Sequence, residues 1–223
     1  MRKLILTALF GFVLSGCSSS DSTPTTTDTN FKPGIYTGQF DNGTITDSYI
    51  ILVTSTDAWA GADPFEASTG IVTGDTITNS AGFSATLTSS NAGTYLSPPS
   101  VTGTFNLVDT GLYNRSSSLT KLTGTWVDNV FTDVTGVTTW TIQANGSFNM
   151  TSVSGCSATG TIGTLDTGKN EYTMSATVSN CGVFNGAYSG FGFTQDANTF
   201  SDNQFSFVID NADNFAVFSP VKQ

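Results

Sequence analysis

Histidine is absent from the 223-residue chain. Its absence excludes Ser-His-Asp and Cys-His nucleophile systems, imidazole general bases and most common zinc and copper sites. An enzyme built on this chain would depend on carboxylates, lysine or tyrosine. The only glutamates are Glu66 and Glu171, neither stands in a catalytic motif, and no nucleotide-binding loop or dinucleotide fingerprint occurs. We therefore predict a non-enzyme that has no cofactor and no bound metal.

Basic residues are also scarce, with 7 Lys and Arg against 17 Asp and Glu, and the formal net charge is -10. Such a surface repels phosphate backbones and anionic headgroups, so we expect no nucleic-acid partner and no basic patch that docks on lipid. Only 11% of residues are charged, and solubility must come largely from Ser, Thr, Asn and Gly. That composition is common in secreted β proteins, whose strands favour Thr and whose turns favour Asn and Gly.

The chain begins with a short basic head, Arg2-Lys3, followed by a mostly apolar run from Leu4 to Leu14. The run is too short to span a bilayer, which takes about 20 residues, but it fits the apolar part of a secretion signal. Leu14-Ser15-Gly16-Cys17 resembles the bacterial lipobox. The alternative is an ordinary signal peptide with an unrelated cysteine.

The lipobox resemblance implies a lipoprotein whose signal peptide, residues 1–16, is removed, and whose Cys17 carries diacylglycerol and an amide-linked chain such as palmitate. Two or more acyl chains anchor a protein stably to a membrane. Ser18 follows the cysteine, which favours the cell outer membrane if the cell is Gram-negative. Residues 17–31 then form a lipidated cysteine and a Ser/Thr-rich tether that cannot build a core, so we expect it to be disordered.

With lipid on Cys17, an even pair of cysteines remains, Cys156 and Cys181. An exported protein meets an oxidising compartment, so we predict a Cys156–Cys181 disulfide, and the alternative is two free buried thiols.

The mature chain has the alternating pattern of half-buried strands almost throughout, and no window predicts a convincing amphipathic helix. The fold class is therefore all-β, an antiparallel meander forming a β-barrel or barrel-like sandwich. In the hairpin around Asn145-Gly146, a three-residue loop pairs Ile142 with Phe148 and places their apolar neighbours on one face. We predict that loop, with Gly146 left-handed.

After Leu119 the pattern divides into eight candidate strands, near 122–128, 137–143, 147–153, 157–165, 171–178, 186–194, 203–210 and 214–219. Eight strands in a meander can close into a barrel and remove their exposed edges. Gly124-Thr125-Trp126 resembles the first strand of avidin-like and lipocalin-like barrels, in which a Gly-x-Trp plugs one end. Ten large inward side chains should nearly fill this barrel: Trp126, Trp140, Ile142, Phe148, Met150, Tyr172, Met174, Val178, Phe205 and Phe207.

The earlier half opens with a strand near 34–40 and continues with strands near 47–54, 66–73, 82–88 and 100–108. Thr-Gly-x-aromatic recurs at 37–40, 102–105 and 123–126, through either an internal duplication or chance. The chain also resembles a group of bacterial lipoproteins of unassigned role, through residues 34–38, 118–126 and 154–156, which implies a shared fold and no activity. We expect one barrel or two tandem modules, with an N-terminal β module at 32–118 and a C-terminal one at 119–223.

Two further features are candidate sites. The segment from Asp210 to Asn214 carries oxygen ligands for calcium without the spacing of a calcium loop, and its alternative is a solvated hairpin tip. Trp59, Trp126 and Trp140 could stack on sugars or line a cavity, or belong to the core.

We expect an exported, lipid-anchored envelope protein that acts as a non-catalytic binding or structural module. Its membrane partner is reached through Cys17, and its ligand or protein partner is not specified by the sequence. The alternatives are a carrier of a small apolar ligand or lipid, and a carboxylate-based glycan hydrolase.

Overall fold

The computed structural model describes residues 29–63, 66–129, 136–197, 200–211 and 214–223. The signal peptide, Cys17 and most of the predicted tether lie outside these residues. No helix in the described part of the chain has the length and apolarity needed to cross a membrane.

The first half of the chain forms a closed barrel of eight antiparallel strands in sequence order. Each strand pairs with its neighbours in the chain, and β1 also pairs with β8, so that no strand edge is left open. The strands are β1 (Gly34–Asp41), β2 (Thr46–Val53), β3 (Asp57–Asp63), β4 (Glu66–Thr73), β5 (Thr76–Thr78), β6 (Ser84–Leu87), β7 (Ala92–Ser97) and β8 (Val101–Asp109).

A linker with a 3-10 turn, Leu112–Asn114, and the short helix α1, Leu119–Leu122, joins the two halves. Ser118 caps α1 by accepting a hydrogen bond from the Lys121 amide, and Leu122 is completely buried at the near end of the second barrel.

The second half is also a closed eight-stranded antiparallel barrel, with one additional strand, β16, that pairs with β15. The fold is therefore all-β with two tandem barrels. The strands are β9 (Gly124–Asp128), β10 (Thr138–Ile142), β11 (Ser147–Ser152), β12 (Ser157–Thr164), β13 (Tyr172–Ser179), β14 (Gly186–Ala197), β15 (Phe200–Asp210), β16 (Phe215–Phe218) and β17 (Val221–Lys222).

The β10–β11 hairpin confirms the register expected from its apolar pattern. Ile142 pairs with Phe148 and Trp140 pairs with Met150, and all four side chains are buried. Gly146 has φ +83, the left-handed conformation that the three-residue loop requires.

The closing strand differs from the prediction. The strand expected near 214–219 is β16, which pairs with β15 alone, whereas the barrel is closed by β17, whose Val221 pairs with both Gln204 and Val127. Proline has no amide hydrogen to donate to a ladder, so Pro220 ends β16 and lets the chain step across to β9.

Three strands of the first barrel, β3, β5 and β7, were not expected from the sequence. Two of them are rich in alanine and glycine, which have low strand propensity, and β5 is only 3 residues long. They form because β2, β4, β6 and β8 present edges on either side of them.

The interior of the second barrel is filled by side chains. All ten residues predicted to point inward belong to one buried cluster, together with Leu122 and Phe218. The Cys156–Cys181 disulfide is present, with a Cα–Cα distance of 4.7 Å. It joins the β11–β12 loop to the β13–β14 loop, so it ties the end of this barrel opposite α1.

A second apolar cluster joins the outer faces of the two barrels. Ile35, Leu52 and Trp59 of the first barrel pack with Phe193 and Val208 of the second, and with Tyr113 of the linker. Beside this cluster the Thr69 hydroxyl donates a hydrogen bond of 3.0 Å to the Asp210 carboxylate. As a result β15 is buried on both faces, although its alternation predicted a half-buried strand.

Candidate binding site at the open end of the first barrel

A column of aromatic rings runs through the interior of the first barrel. Phe31 stacks on Phe105 with 6.3 Å between ring centroids, and Phe105 stacks on Phe40 at 5.6 Å. Phe31 precedes β1, and its amide donates to the carbonyl of Gly74 in the β4–β5 turn. It therefore closes the end at which β1 begins, and the barrel core starts one residue ahead of the predicted module boundary at 32.

A cavity bounded by described side chains inside this barrel measures about 30 Å³, enough for about one or two water molecules. Its lining residues are Phe31, Phe40, Ile51, Ala58, Thr69, Gly70, Ile77, Phe83, Ala85, Phe105 and Leu107. A cavity of this size cannot accommodate an acyl chain or a drug-sized ligand, whose pockets measure about 300–1,000 Å³.

The opposite end of the first barrel, where β1 ends, presents aromatic side chains to solvent. Phe40 lies at its centre, and the rings of Tyr49 and Tyr95 contact it edge-on at 4.5 and 5.0 Å. Phe83 lies 6.4 Å from both Phe40 and Tyr95. Tyr49, Phe83 and Tyr95 are half-buried, so part of each ring remains accessible. We call these four residues and Asp47 the aromatic end.

Local structure explains why these side chains meet. Cross-strand partners share one face of a sheet, and Phe40 pairs with Asp47, which places the Asp47 carboxylate on the inward face beside the rings. Tyr95 pairs with Gly103, and a Cβ at Gly103 would lie only 2.6 Å from the Tyr95 ring. Glycine at 103 thus gives the tyrosine ring space to lie across β8.

The aromatic end is negatively charged, and two of its polar groups, the Asp47 carboxylate and the Tyr95 hydroxyl, face no hydrogen-bond partner among the described residues. Burial raises the pKa of Tyr95, and the negative charges of Asp41 and Asp47 raise it further, which keeps the phenol neutral. Neither the Asp47 carboxylate nor the Tyr95 hydroxyl has a hydrogen bond to any residue that the structure describes. Both groups are available to a ligand.

The carboxylates of the second barrel, by contrast, are used to hold the linker. Glu171 is buried and accepts a hydrogen bond of 3.1 Å from the Tyr113 hydroxyl. Burial raises the pKa of Glu171, and it also raises that of Tyr113, as does the Glu171 charge. The neighbouring Asn170 is completely buried and bonds to Leu112 and Thr194 through both ends of its amide. This arrangement fixes the linker against the barrel.

A cluster of charged side chains holds the linker against the β14–β15 hairpin. The Arg115 guanidinium binds both Asp196 and Asp202, and Lys121 Nζ lies 2.9 Å from the other oxygen of Asp202. Arg115 lowers the pKa of Asp196 to about 2. Burial alone would raise the pKa of Asp202, but its bonds to Lys121, Thr194 and Arg115 lower it overall. Both carboxylates are engaged in ion pairs.

The structure places the other sequence candidates as follows. Trp126 and Trp140 lie in the core of the second barrel and Trp59 lies between the barrels, so none of the three presents a ring to solvent. In the segment considered for calcium, Ala212 and Asp213 lie outside the described residues, and Asn211 and Asn214 bond to each other between β15 and β16. Among the described residues, no three His, Cys, Asp or Glu side chains are grouped to hold a metal ion.

The aromatic end itself was not predicted. Phe83, Ala85 and Leu87 alternate with polar residues and so share one face of a strand, but nothing local distinguishes an inward residue in the middle of a barrel from one at its end. Tyr95 lies on a strand that was missed. The charge of Asp47 on the apolar face of β2 is a signal that could have marked the site.

Comparison of the chain with protein-family models, with curated proteins and with solved structures gives no match.

Proposed function

We propose that this protein is an exported envelope lipoprotein, anchored through lipid on Cys17, that acts as a non-catalytic binding module. Its binding surface in this proposal is the aromatic end of the first barrel. The observation that carries the proposal is the combination, at this end, of accessible aromatic rings with a carboxylate and a hydroxyl that lack partners among the described residues.

The second barrel serves as a support in this proposal. Its interior is packed, its loops are tied by the disulfide, and its carboxylates at Glu171, Asp196 and Asp202 hold the linker. Carboxylates engaged in this way are poor candidates for a glycosidase pair, which requires two acids that flank a substrate in a cleft.

A carrier function has weaker support. The second barrel is filled by large side chains, and the cavity bounded by the described side chains of the first measures about 30 Å³. Laurate is a suitable probe, because its chain is a generic apolar ligand. We expect titration with laurate to give no saturable change in tryptophan fluorescence, whereas saturable binding would favour the carrier.

The lipid anchor is tested by substitution at the acylation site. Cys17→Ser should leave an unprocessed precursor that is not labelled by palmitate, since acylation precedes signal cleavage in proteins with a lipobox. The matched control is Ser18→Ala, which changes the neighbouring residue and should be labelled and processed normally. A wild-type protein recovered in the aqueous phase without label would refute the anchor.

A further inference from the structure

The positive charges of the chain are distributed unevenly between the barrels. The first barrel, Gly34–Asp109, contains no lysine and no arginine, and its acidic residues are Asp41, Asp47, Asp57, Asp63, Glu66, Asp75 and Asp109. Lys32 lies just before the first barrel, at the end where β1 begins. The other four cations of the described chain are Lys169 and Lys222 in the second barrel and Arg115 and Lys121 in the linker.

Those four cations are all engaged where the linker meets the second barrel. Arg115 and Lys121 bind Asp202, Lys169 Nζ bonds to Asn114 at 2.9 Å, and Lys222 Nζ bonds to the Lys121 carbonyl at 2.7 Å. The strands of the first barrel thus carry acidic residues and no cation, and Lys32 lies at the end opposite the aromatic end. The aromatic end is the place where this negative charge meets accessible rings.

We propose that the aromatic end binds a lysine- or arginine-bearing segment of a partner protein, with the cationic group seated against the rings and beside Asp47. This proposal rests on the proposed function, because it assigns a partner chemistry to the same surface. Aromatic faces attract cations through their quadrupole, and a neighbouring carboxylate adds a direct Coulomb attraction. Asp47 and Tyr95 supply the carboxylate and a hydroxyl that accepts hydrogen bonds from such a group.

The size of the surface favours a protein segment over a free small cation. Ile45 in the β1–β2 turn is 56% exposed, and Val101, which follows the β7–β8 turn, is 40% exposed. Because β1 pairs with both β2 and β8, these two turns are neighbours at the aromatic end. The apolar side chains of these turns make the contact area larger than one ammonium group can cover. A peptide with apolar residues next to its basic ones would use that area.

The test uses the mature two-barrel protein and a fluorescein-labelled peptide of alternating lysine and leucine, with its N-acetyllysine counterpart as the neutral probe. We expect the lysine peptide to bind and the acetylated peptide to bind about tenfold more weakly or not at all. Asp47→Asn should weaken lysine-peptide binding about five- to tenfold. Asp75→Asn removes the same charge at the other end of the same barrel, in the β4–β5 turn, and should change binding less than about twofold.

A ring variant separates cation recognition from simple apolar contact. Phe83→Leu keeps an apolar side chain but removes the aromatic face, and should weaken lysine-peptide binding, whereas Phe83→Tyr should retain it. Thermal melts and far-UV circular dichroism confirm that each variant is folded.

The alternatives give distinct results. Equal losses with Asp47→Asn and Asp75→Asn would show non-specific charge attraction and overturn the proposal. A chito-oligosaccharide is the sugar probe. If it binds, if Phe83→Leu abolishes that binding, and if the lysine peptide does not bind, the proposed binding surface is supported and its cationic partner is overturned. If spermidine binds as strongly as the peptide, the ligand is a small cation and the proposal of a protein segment is overturned. If no probe binds and no variant matters, the proposed function fails as well.

Discussion

The two barrels share strand number and antiparallel order but differ in how their ends are closed. The second barrel has α1 and Leu122 at one end and the Cys156–Cys181 bond at the other. The first barrel has Phe31 at one end, and at the other the described side chains include the accessible rings around Phe40. The strand pattern therefore builds both barrels, whereas the closure of the ends decides which of them exposes aromatic rings.

The charged residues also differ between the two barrels. The lysines and the arginine of the linker and the second barrel form ion pairs and hydrogen bonds that hold the junction, while the strands of the first barrel contain no cation and only Lys32 precedes them in the described chain. One barrel uses its carboxylates within the protein, and the other leaves Asp47 without a hydrogen bond among the described residues.

The largest expected effect is a loss of stability, and it should differ between the packed core of the second barrel and the aromatic end of the first. Trp140 is 1% exposed and contacts Phe148, Phe207 and Phe218. Trp140→Ala should therefore lower the free energy of unfolding by about 3–5 kcal/mol. Phe83→Ala, at a half-buried ring, should cost about 1 kcal/mol. Urea unfolding measures both values, and similar losses at the two positions would remove the distinction between a packed core and an available surface.

The next effect concerns the disulfide, which the second barrel has and the first lacks. Replacing Cys156 and Cys181 with alanine should cost about 3–4 kcal/mol, because the bond closes a long loop in the unfolded chain. Hydrogen exchange should increase in β11–β14 and change little in β1–β8. Thiol titration of the denatured, unreduced wild type is the control, and two reactive thiols would contradict the bond.

The smallest effect is the acid sensitivity of the junction. The pKa of Asp196 is lowered to about 2 from an ordinary value of 3.8, so its ion pair stabilises the fold above about pH 4. That stability is lost as the pH falls towards 2. Because the Asp196 side chain is 41% exposed, solvent screening reduces the contribution to about 0.5–1 kcal/mol.

Arg115→Gln should remove most of this acid dependence, measured as the free energy of unfolding at pH 5 and pH 2. Lys169→Gln removes a charge from the same junction but does not contact Asp196, and it should preserve the dependence. If the Arg115 variant loses stability towards pH 2 as steeply as wild type does, the ion pair is not its source.

Several features were predicted because they depend on local pattern. The alternation around Asn145-Gly146 admits only one register that buries a single face, and the structure has that register. The ten large alternating residues of the second half were likewise placed in its core. The two mature cysteines were paired by elimination and by the oxidising compartment, and the bond is present.

Features that depend on distant parts of the chain were missed. The strands β3, β5 and β7 have weak local propensity and form because neighbouring strands offer partners. The junction was missed as well, although Ile50 to Val53 and Phe207 to Ile209 are unbroken apolar runs, which are typical of strands buried on both faces.

The sequence by itself determined the all-β class, the inward set of the second barrel and the cysteine pair, because a period of two residues and a count of thiols are local quantities. Only the tertiary structure decided that Leu52 and Trp59 face another barrel, that Val221 closes the second barrel, and that Tyr49, Phe83 and Tyr95 surround Phe40 at an accessible end. Alternation specifies which face of a strand a side chain occupies. It does not specify what covers that face, since the covering residues come from far along the chain and their positions are fixed only when both barrels have closed.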